Sequence, residues 1–300
     1  LYIESLLRRK VPTESDKLYV GHRAAMNPVP YQLEPALISL DRPKQRILIA
    51  DAVGLGKTLE AGILMSELIM RGRGRRILVV TVKSMMTQFQ KEMWNRFTIP
   101  LTRLDSVGIQ KIKSKIPSNH NPFNYFDKVI ISMDTLKRDA EYRTHLENAR
   151  WDIIVIDEAH NVAERGGGTA QRARLAQLLS ERSDNLIMLS ATPHDGRPES
   201  FASLMEMLDP TAIADKSKYT KEDISGLYLR RFKKDIKNQV EKVFQERKIY
   251  QVHCTPTGAE EQVFSFFSQI LFKSIDKERP AGKLFKTVLE KSLFSSPQAC

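Results

Sequence analysis

One stretch of the sequence decides the fold: Arg46-Ile-Leu-Ile-Ala-Asp-Ala-Val-Gly-Leu-Gly-Lys-Thr58. It begins as an apolar strand, turns through two glycines and opens a helix predicted over 57–70. Glycines let backbone N–H groups approach phosphate oxygens closely, and the helix N-terminus adds partial positive charge. This context predicts a phosphate loop, in which Lys57 reaches the β and γ phosphates of a nucleotide and the Thr58 hydroxyl ligates Mg²⁺. The predicted nucleotide-binding positions are Asp51, Ala52, Val53, Gly54, Leu55, Gly56, Lys57 and Thr58.

Further short apolar runs alternate with helical patterns along the chain. The β-branched, nearly continuous hydrophobicity of these runs is typical of parallel strands that are covered on both faces. Predicted strands are 46–50, 76–81, 128–132, 152–156 and 186–190, and the helices predicted between them include 88–97 and 169–180. Strand-helix alternation of this length predicts a doubly wound α/β sheet.

The strand predicted over 152–156 ends in two adjacent carboxylates, Asp157 and Glu158. Ligands of parallel sheets collect at the C-terminal ends of the strands, so this pair should lie beside the phosphate loop. One carboxylate can hold Mg²⁺ through water while the other activates the attacking water. We therefore assign Asp157 to the metal, and Glu158, together with Lys57, to catalysis.

Composition restricts the class of protein. The 300 residues carry a formal net charge of +11. This charge is expected for a protein that binds polyanions, and equally for one whose basic surface is only solvated. Two cysteines fit a reducing compartment, and no apolar run is long enough to cross a membrane. The first ten residues do not have the pattern of a signal peptide. We expect a cytoplasmic, nucleoid-associated bacterial location and a piece of a longer protein.

These motifs together resemble superfamily 2 helicase-like ATPases, and within them the SWI/SNF-related group with its RapA-like bacterial branch. That group carries Asp where the strict phosphate-loop pattern has Gly, as Asp51 does here. Asp157-Glu-Ala-His160, a DEAH box, and Ser190-Ala-Thr192 resemble motifs II and III. The likeness implies a RecA-like lobe that uses ATP and Mg²⁺, with Gln32 against adenine. It also implies that His160, Ser190, Ala191 and Thr192 couple the nucleotide to the nucleic acid.

The resemblance also implies a nucleic-acid surface, which contacts the backbone without reading sequence. The segments 81–92 and 131–136 are similar to motifs Ia and Ib, and Tyr228-Leu-Arg-Arg-Phe-Lys-Lys-Asp-Ile236 is similar to a segment between two motor lobes. The basic residues of that segment either contact DNA or pair with acids of a second lobe. The predicted nucleic-acid contacts are Lys83, Ser84, Thr135, Lys137, Arg230 and Arg231.

Four regions are predicted: an N-terminal arm over 1–22, a RecA-like lobe over 23–212, a basic interlobe segment over 213–250, and a helical extension over 251–300 that leads to a second lobe. The arginine motif of such a second lobe has no counterpart in these residues, so we expect the chain alone to hydrolyse ATP slowly. A capping box, Thr257-Gly-Ala-Glu260, opens the extension.

The sequence leaves several functions open. The favoured one is an ATP-driven translocase on duplex DNA, with RNA as an alternative track and a restriction or phage-defence motor as an alternative role. A GTPase is disfavoured because the guanine-reading run Asn-Lys-x-Asp does not occur. A small-molecule kinase is disfavoured because the order of motifs leaves no room for its arginine-rich lid. A decayed interaction domain is disfavoured because it would not keep Lys57, Thr58, Asp157 and Glu158 intact.

Overall fold

The computed structural model describes residues 2–9, 11–19, 24–137, 140–164, 170–193, 196–240, 249–253, 255–270 and 281–295. The chain divides into two compact units, Leu1–Phe244 and Gln245–Cys300. The predicted boundary between residues 22 and 23 lies outside the described residues. Among the described residues, no helix is both long and apolar enough for a membrane-spanning segment.

The first unit is built on one sheet. Within the described part of the chain, seven strands pair in parallel in the order β3-β4-β2-β5-β6-β1-β7. The strands are β1 (Arg46–Ile49), β2 (Ile77–Thr81), β3 (Thr102–Leu104), β4 (Lys128–Ser132), β5 (Trp151–Ile156), β6 (Ser183–Leu189) and β7 (Tyr228–Leu229). The predicted doubly wound parallel fold is therefore confirmed. β3 and β7 were not predicted, because two or three residues carry too little periodic signal.

Helices cover both faces of this sheet, as continuous apolar strands require. The helices of the first unit are α1 (Tyr2–Arg9), α2 (Pro30–Leu40), α3 (Lys57–Met70), α4 (Met86–Phe97), α5 (Ser106–Lys113), α6 (Met133–Lys137), α7 (Ala140–Glu147), α8 (Gln171–Glu181), α9 (Pro198–Leu208) and α10 (Lys237–Val240). One buried cluster joins alternate strand residues to α2, α3 and α4. A second, larger cluster joins the intervening strand residues to helices α5 to α9.

The second unit contains α11 (Gly258–Gln269) and α12 (Ala281–Ser295). The predicted capping box opens α11: Glu260 N donates to Thr257 Oγ1 at 3.3 Å, and Thr257 N donates to Glu260 Oε2 at 2.7 Å. Phe264 of α11 stacks on Phe294 of α12 with ring centroids 5.3 Å apart. The predicted helical extension is thus present.

Candidate active site

The predicted functional residues gather at one edge of the sheet. Because all the strands are parallel, their C-terminal ends meet at that edge. β1 leads into the predicted phosphate loop, β5 leads into Asp157 and Glu158, and β6 lies between them and leads into Ser190. Neighbouring strands are about 4.8 Å apart, so the axes of β1 and β5 are separated by about 10 Å. The sheet order therefore brings the loop and the carboxylates to opposite sides of one strand tip.

The loop between β1 and α3 has the conformation that its glycines permit. Gly54 has φ +88° and Gly56 has φ +95°, and both values lie in the left-handed region that residues with a Cβ rarely adopt. Gly56 is the residue at the N-cap of α3, and no side chain within the described part of the chain caps that helix end. Lys57 Nζ donates to the backbone carbonyl of Asp51 at 2.8 Å across the loop. The loop thus passes through two glycines with left-handed backbone conformation, and Lys57 at the N-terminus of α3 closes it by its hydrogen bond to Asp51.

Gln32 and Tyr31 lie against the loop from α2. The Tyr31 hydroxyl donates to the Leu55 carbonyl at 2.8 Å, and Gln32 Nε2 approaches the same oxygen at 3.3 Å. Gln32 Oε1 accepts a hydrogen bond from Val29 N at 3.2 Å. The structure therefore brings Gln32 to the loop, while its contact with adenine stays a prediction. Ala52, Val53 and Thr58 lie in the loop and at the start of α3, where they were expected.

The carboxylate of Asp157 is held by a residue that sequence reasoning missed. Thr81 Oγ1 donates to Asp157 Oδ2 at 2.7 Å from the end of the neighbouring strand β2. Thr81 is buried, whereas the side chain of Asp157 is partly exposed at the edge. One carboxylate oxygen is thereby fixed by Thr81.

Glu158 begins a tight turn with a strained backbone. Its φ of 51° and ψ of 48° place a non-glycine residue in the left-handed region. Such a conformation costs roughly 1–3 kcal/mol and persists when the surrounding structure enforces it. Here Asn161 N donates to the Glu158 carbonyl at 2.9 Å, which closes the turn. The backbone conformation at Glu158 is therefore fixed by the turn that follows β5.

His160 links the acidic pair to the tip of β6. His160 Nδ1 lies 3.2 Å from Glu158 Oε2 and 3.2 Å from Ser190 Oγ. The Ser190 hydroxyl in turn accepts from Thr192 N at 3.2 Å, so the chain turns back at Ala191. The residues predicted to couple nucleotide and nucleic acid are therefore brought together, although coupling itself stays a prediction.

The predicted nucleic-acid contacts are dispersed along the same edge. Lys83 and Ser84 are exposed in a short 3₁₀ helix after β2, and Thr135 lies in α6 after β4, the neighbour of β2. Arg230 follows β7 at the other end of the sheet, where its guanidinium lies 4.8 Å from the Phe232 ring centroid. The side chain of Lys137 lies outside what the structure describes.

Arg231 is placed differently from what the sequence suggested. Its side chain is 8% exposed, forms ion pairs with Asp51 and Glu34, and donates a hydrogen bond to Glu60. A buried guanidinium whose donors are already engaged cannot lie on a nucleic-acid backbone, so this expectation is corrected. The acids that neutralise it belong to this chain rather than to a second lobe. The side chain of Asp51 likewise points to Arg231, and only its carbonyl contacts Lys57.

The same cluster changes the ionisation of Glu60. Burial, reinforced by the negative charge of Asp51, raises the pKa of Glu60 from 4.5 to about 9, although Arg231 and Lys57 act in the opposite direction. The raised pKa favours the protonated form of Glu60, so Asp51 and Glu34 supply the negative charge that faces Arg231.

A parallel sheet with a glycine-rich loop after one strand, and an acidic pair two strands away, is the arrangement of the RecA-like α/β fold class. The fold is similar to the SWI2/SNF2 ATPase core domain of Sulfolobus solfataricus, with a TM-score of 0.59, 19% identity, and coverage of 94% of this chain and 60% of that one. A second similar structure is the same organism's SWI2/SNF2 ATPase core in complex with dsDNA, with a TM-score of 0.58 and 22% identity over 92% of this chain and 60% of that one.

A family model, the SNF2-related domain, matches residues 31–299, and the chain belongs to this family. The RNA polymerase-associated protein RapA of Sodalis glossinidius is 32% identical over 202 residues, which are 67% of this chain and 20% of that protein. RapA of Proteus mirabilis is 31% identical over the same shares. The expected resemblance to the SWI/SNF-related group and its RapA-like branch is thus confirmed. The match spans about a fifth of the length of these relatives.

Proposed function

We propose that the chain is the ATP-binding lobe of an ATP-dependent translocase, which hydrolyses ATP to move along duplex DNA without sequence preference. The observation that carries the proposal is the arrangement at the sheet edge. The loop closed by Lys57 and the pair Asp157-Glu158 flank the tip of β6, at the spacing that two neighbouring strand steps produce. Exposed Lys83 and Ser84 follow β2 at the same edge.

The donor groups at this edge fit Mg²⁺ and a triphosphate. Mg²⁺ prefers oxygen ligands, and the Thr58 hydroxyl and the Asp157 carboxylate supply them. The left-handed loop and the uncapped start of α3 offer backbone N–H groups and a positive dipole end to phosphate oxygens. When bound, Mg·ATP supplies the phosphoanhydride bond and the counter-charge for its cleavage.

The side chains then have distinct tasks. Lys57 exchanges the Asp51 carbonyl for phosphate oxygens, which have a full negative charge and bind an ammonium more strongly. Asp157, oriented by Thr81, would hold the metal. Glu158, whose carboxylate is partly exposed at the same end of the sheet, would accept the proton of the attacking water.

Duplex DNA as the track is supported by the charge of the chain and by the neighbour that was solved with dsDNA. Contacts from lysines and hydroxyls to phosphates fix position and do not read bases. The SWI2/SNF2 cores are longer than the part that this chain matches, which supports a second lobe outside the 300 residues. An arginine from such a lobe is worth several kcal/mol of barrier, so we expect slow single-turnover hydrolysis by the chain alone.

The test compares nucleotide binding and hydrolysis in the wild type, Lys57→Ala and Lys44→Ala. Lys44 is exposed before β1, at the opposite edge of the sheet, so its loss removes the same charge without touching the loop. Binding of a fluorescent ADP in Mg²⁺ should be lost in Lys57→Ala and kept in Lys44→Ala. ATPase activity of the longer protein should rise with duplex DNA of any sequence.

Three outcomes would contradict the proposal. Equal nucleotide affinity in the two lysine variants would show that the phosphate loop does not bind the nucleotide. Stimulation of ATP hydrolysis by RNA but not by duplex DNA would mean that RNA is the polymer along which the protein moves. Equal single-turnover rates for this chain and the longer protein would mean that no second-lobe arginine is needed.

A further inference from the structure

The guanidinium of Arg231 is the centre of a buried polar cluster. Its Nε and Nη2 donate to Asp51 Oδ2 at 3.0 and 2.6 Å, and Nη2 also donates to Glu60 Oε1 at 2.8 Å. Nη1 donates to Glu34 Oε2 at 2.7 Å and to the Tyr31 carbonyl. Asp51 and Glu60 are fully buried. One side chain therefore joins the phosphate loop, the first turn of α3 and the start of α2.

The backbone around Arg231 follows the loop as well. Ala50 N donates to the Leu229 carbonyl at 2.7 Å, and Ala52 N donates to the Arg231 carbonyl at 3.0 Å. Arg231 N returns a bond to Asp51 Oδ1 at 2.9 Å. The pairing that begins with β1 and β7 thus continues past the end of β1 into the phosphate loop.

The residues after Arg231 stay next to the loop. Ile236 is buried against Tyr31 and Leu55 in a small apolar cluster. A Cβ built on Gly54 would lie 3.9 Å from Lys233 Nζ, so this ammonium lies beside the glycine turn. We call residues 229–236 the loop strap. They contact the phosphate loop at residues 50–52, at Gly54 and at Leu55.

We propose that Arg231 is a positioning residue for nucleotide binding: through Asp51 and Glu60 it fastens the loop strap to the phosphate loop and holds the loop in its binding conformation. The inference deepens the proposed function and rests on it. Its physical basis is preorganisation, because a loop that is ordered before the nucleotide arrives does not lose that conformational entropy on binding. Removal of the guanidinium also leaves the Asp51 carboxylate buried without its partner, which drives the loop to rearrange.

Coupling of this kind acts in both directions. If the docked strap favours nucleotide binding, bound nucleotide favours the docked strap by the same factor. The strap should therefore be better protected from amide hydrogen exchange with nucleotide than without it. A purely structural Arg231 would stabilise the fold but would not link strap protection to nucleotide.

The experiment measures fluorescent ADP affinity, thermal stability and hydrogen exchange in the 300-residue chain for the wild type, Arg231→Met, Arg231→Lys and Arg46→Met. Arg46 is the matched control, because its guanidinium is also partly buried, donates to four backbone carbonyls and lies at the opposite end of β1. We expect Arg231→Met to weaken ADP binding about tenfold or more, and Arg46→Met less than about twofold at a comparable loss of melting temperature. Arg231→Lys keeps the charge but not the fork-shaped donor set, so its affinity should fall between wild type and Arg231→Met.

The results separate this inference from the proposed function. If the wild type does not bind nucleotide, both are overturned. If the wild type binds and Arg231→Met binds within about twofold of it, only the positioning role is wrong. If Arg231→Met does not fold, Arg231→Lys decides: an unchanged ADP affinity together with nucleotide-independent exchange in residues 229–236 overturns the inference.

Discussion

The replacement Thr81→Val tests how the metal carboxylate is oriented. Valine has nearly the shape of threonine but cannot donate the 2.7 Å hydrogen bond to Asp157 Oδ2. Thr81 is 1% exposed at the end of β2, so the methyl group replaces the hydroxyl in a packed position and the strand pairing is kept. The perturbation is therefore restricted to the carboxylate that is expected to hold Mg²⁺.

The magnitude follows from the kind of bond that is lost. A hydrogen bond to a charged group contributes about 1.5–3 kcal/mol, and water can recover part of it because Asp157 is partly exposed. The stability of the fold should therefore fall by only about 1 kcal/mol. The effect on the metal should be larger, because loss of a group that orients a ligand typically costs 10–100-fold in metal affinity or activity.

The assay titrates Mg²⁺ against the binding of fluorescent ADP. Thr81→Val should raise the Mg²⁺ concentration at half-saturation about tenfold or more. The control is Thr211→Val, which removes a hydroxyl that also donates to a carboxylate, Asp209, at 2.7 Å. That pair lies just after α9, at the opposite edge of the sheet, and should leave the Mg²⁺ dependence unchanged. A Mg²⁺ midpoint that is the same in wild type and Thr81→Val would refute this assignment of Asp157.

Three further results are expected. Glu158→Gln should retain ADP affinity and lose at least about 100-fold in hydrolysis, because the proton acceptor is removed; an unchanged single-turnover rate would contradict its role. Glu60→Gln should change how the free energy of unfolding depends on pH. The pKa of Glu60 is raised to about 9 in the folded protein. The contribution of Glu60 to stability is therefore complete below about pH 4.5 and is lost as the pH rises toward 9. Urea unfolding should therefore show the wild type losing stability relative to Glu60→Gln over that range, by at most about 1.4 kcal/mol per pH unit, and parallel curves would argue against a proton on Glu60. Lys83→Ala should weaken duplex DNA binding equally on all sequences and reduce the salt-dependence slope by about 1, whereas an effect on one sequence only would indicate base contact.

The local parts of the fold could be predicted from the sequence. Apolar residues, many of them β-branched, lie on both faces of the central strands β1, β2, β4, β5 and β6. This pattern can be recognised in the sequence without knowing which strands are neighbours. β7 has two residues, and its place beside β1 depends on the backbone of a chain segment 180 residues away. No local pattern specifies such a pairing.

The candidate site divides in the same way. The loop glycines, Lys57 and the Asp157-Glu158 pair are local motifs whose chemistry can be read directly. The Thr81 contact requires that β2 lie next to β5, and the Arg231 cluster requires that β7 lie next to β1, so both depend on the sheet order. A signal was nevertheless present: Asp51 stands where the strict loop pattern has glycine, and a carboxylate that is buried in a phosphate-binding loop needs a cation.

The strand order places the tip of β6 between the predicted phosphate loop and the acidic pair. β6 is the only described strand that pairs with both β1 and β5, so Ser190 lies between the loop and the acidic pair. His160 Nδ1 is 3.2 Å from both Glu158 Oε2 and Ser190 Oγ. The tautomer of the ring decides whether this nitrogen donates its one proton to one of the two oxygens or accepts from the Ser190 hydroxyl. If these residues couple nucleotide to nucleic acid as predicted, we expect a change in the direction of Glu158 to alter the His160–Ser190 contact, and Thr192 N, which donates to the Ser190 hydroxyl, to extend that change to the chain after β6.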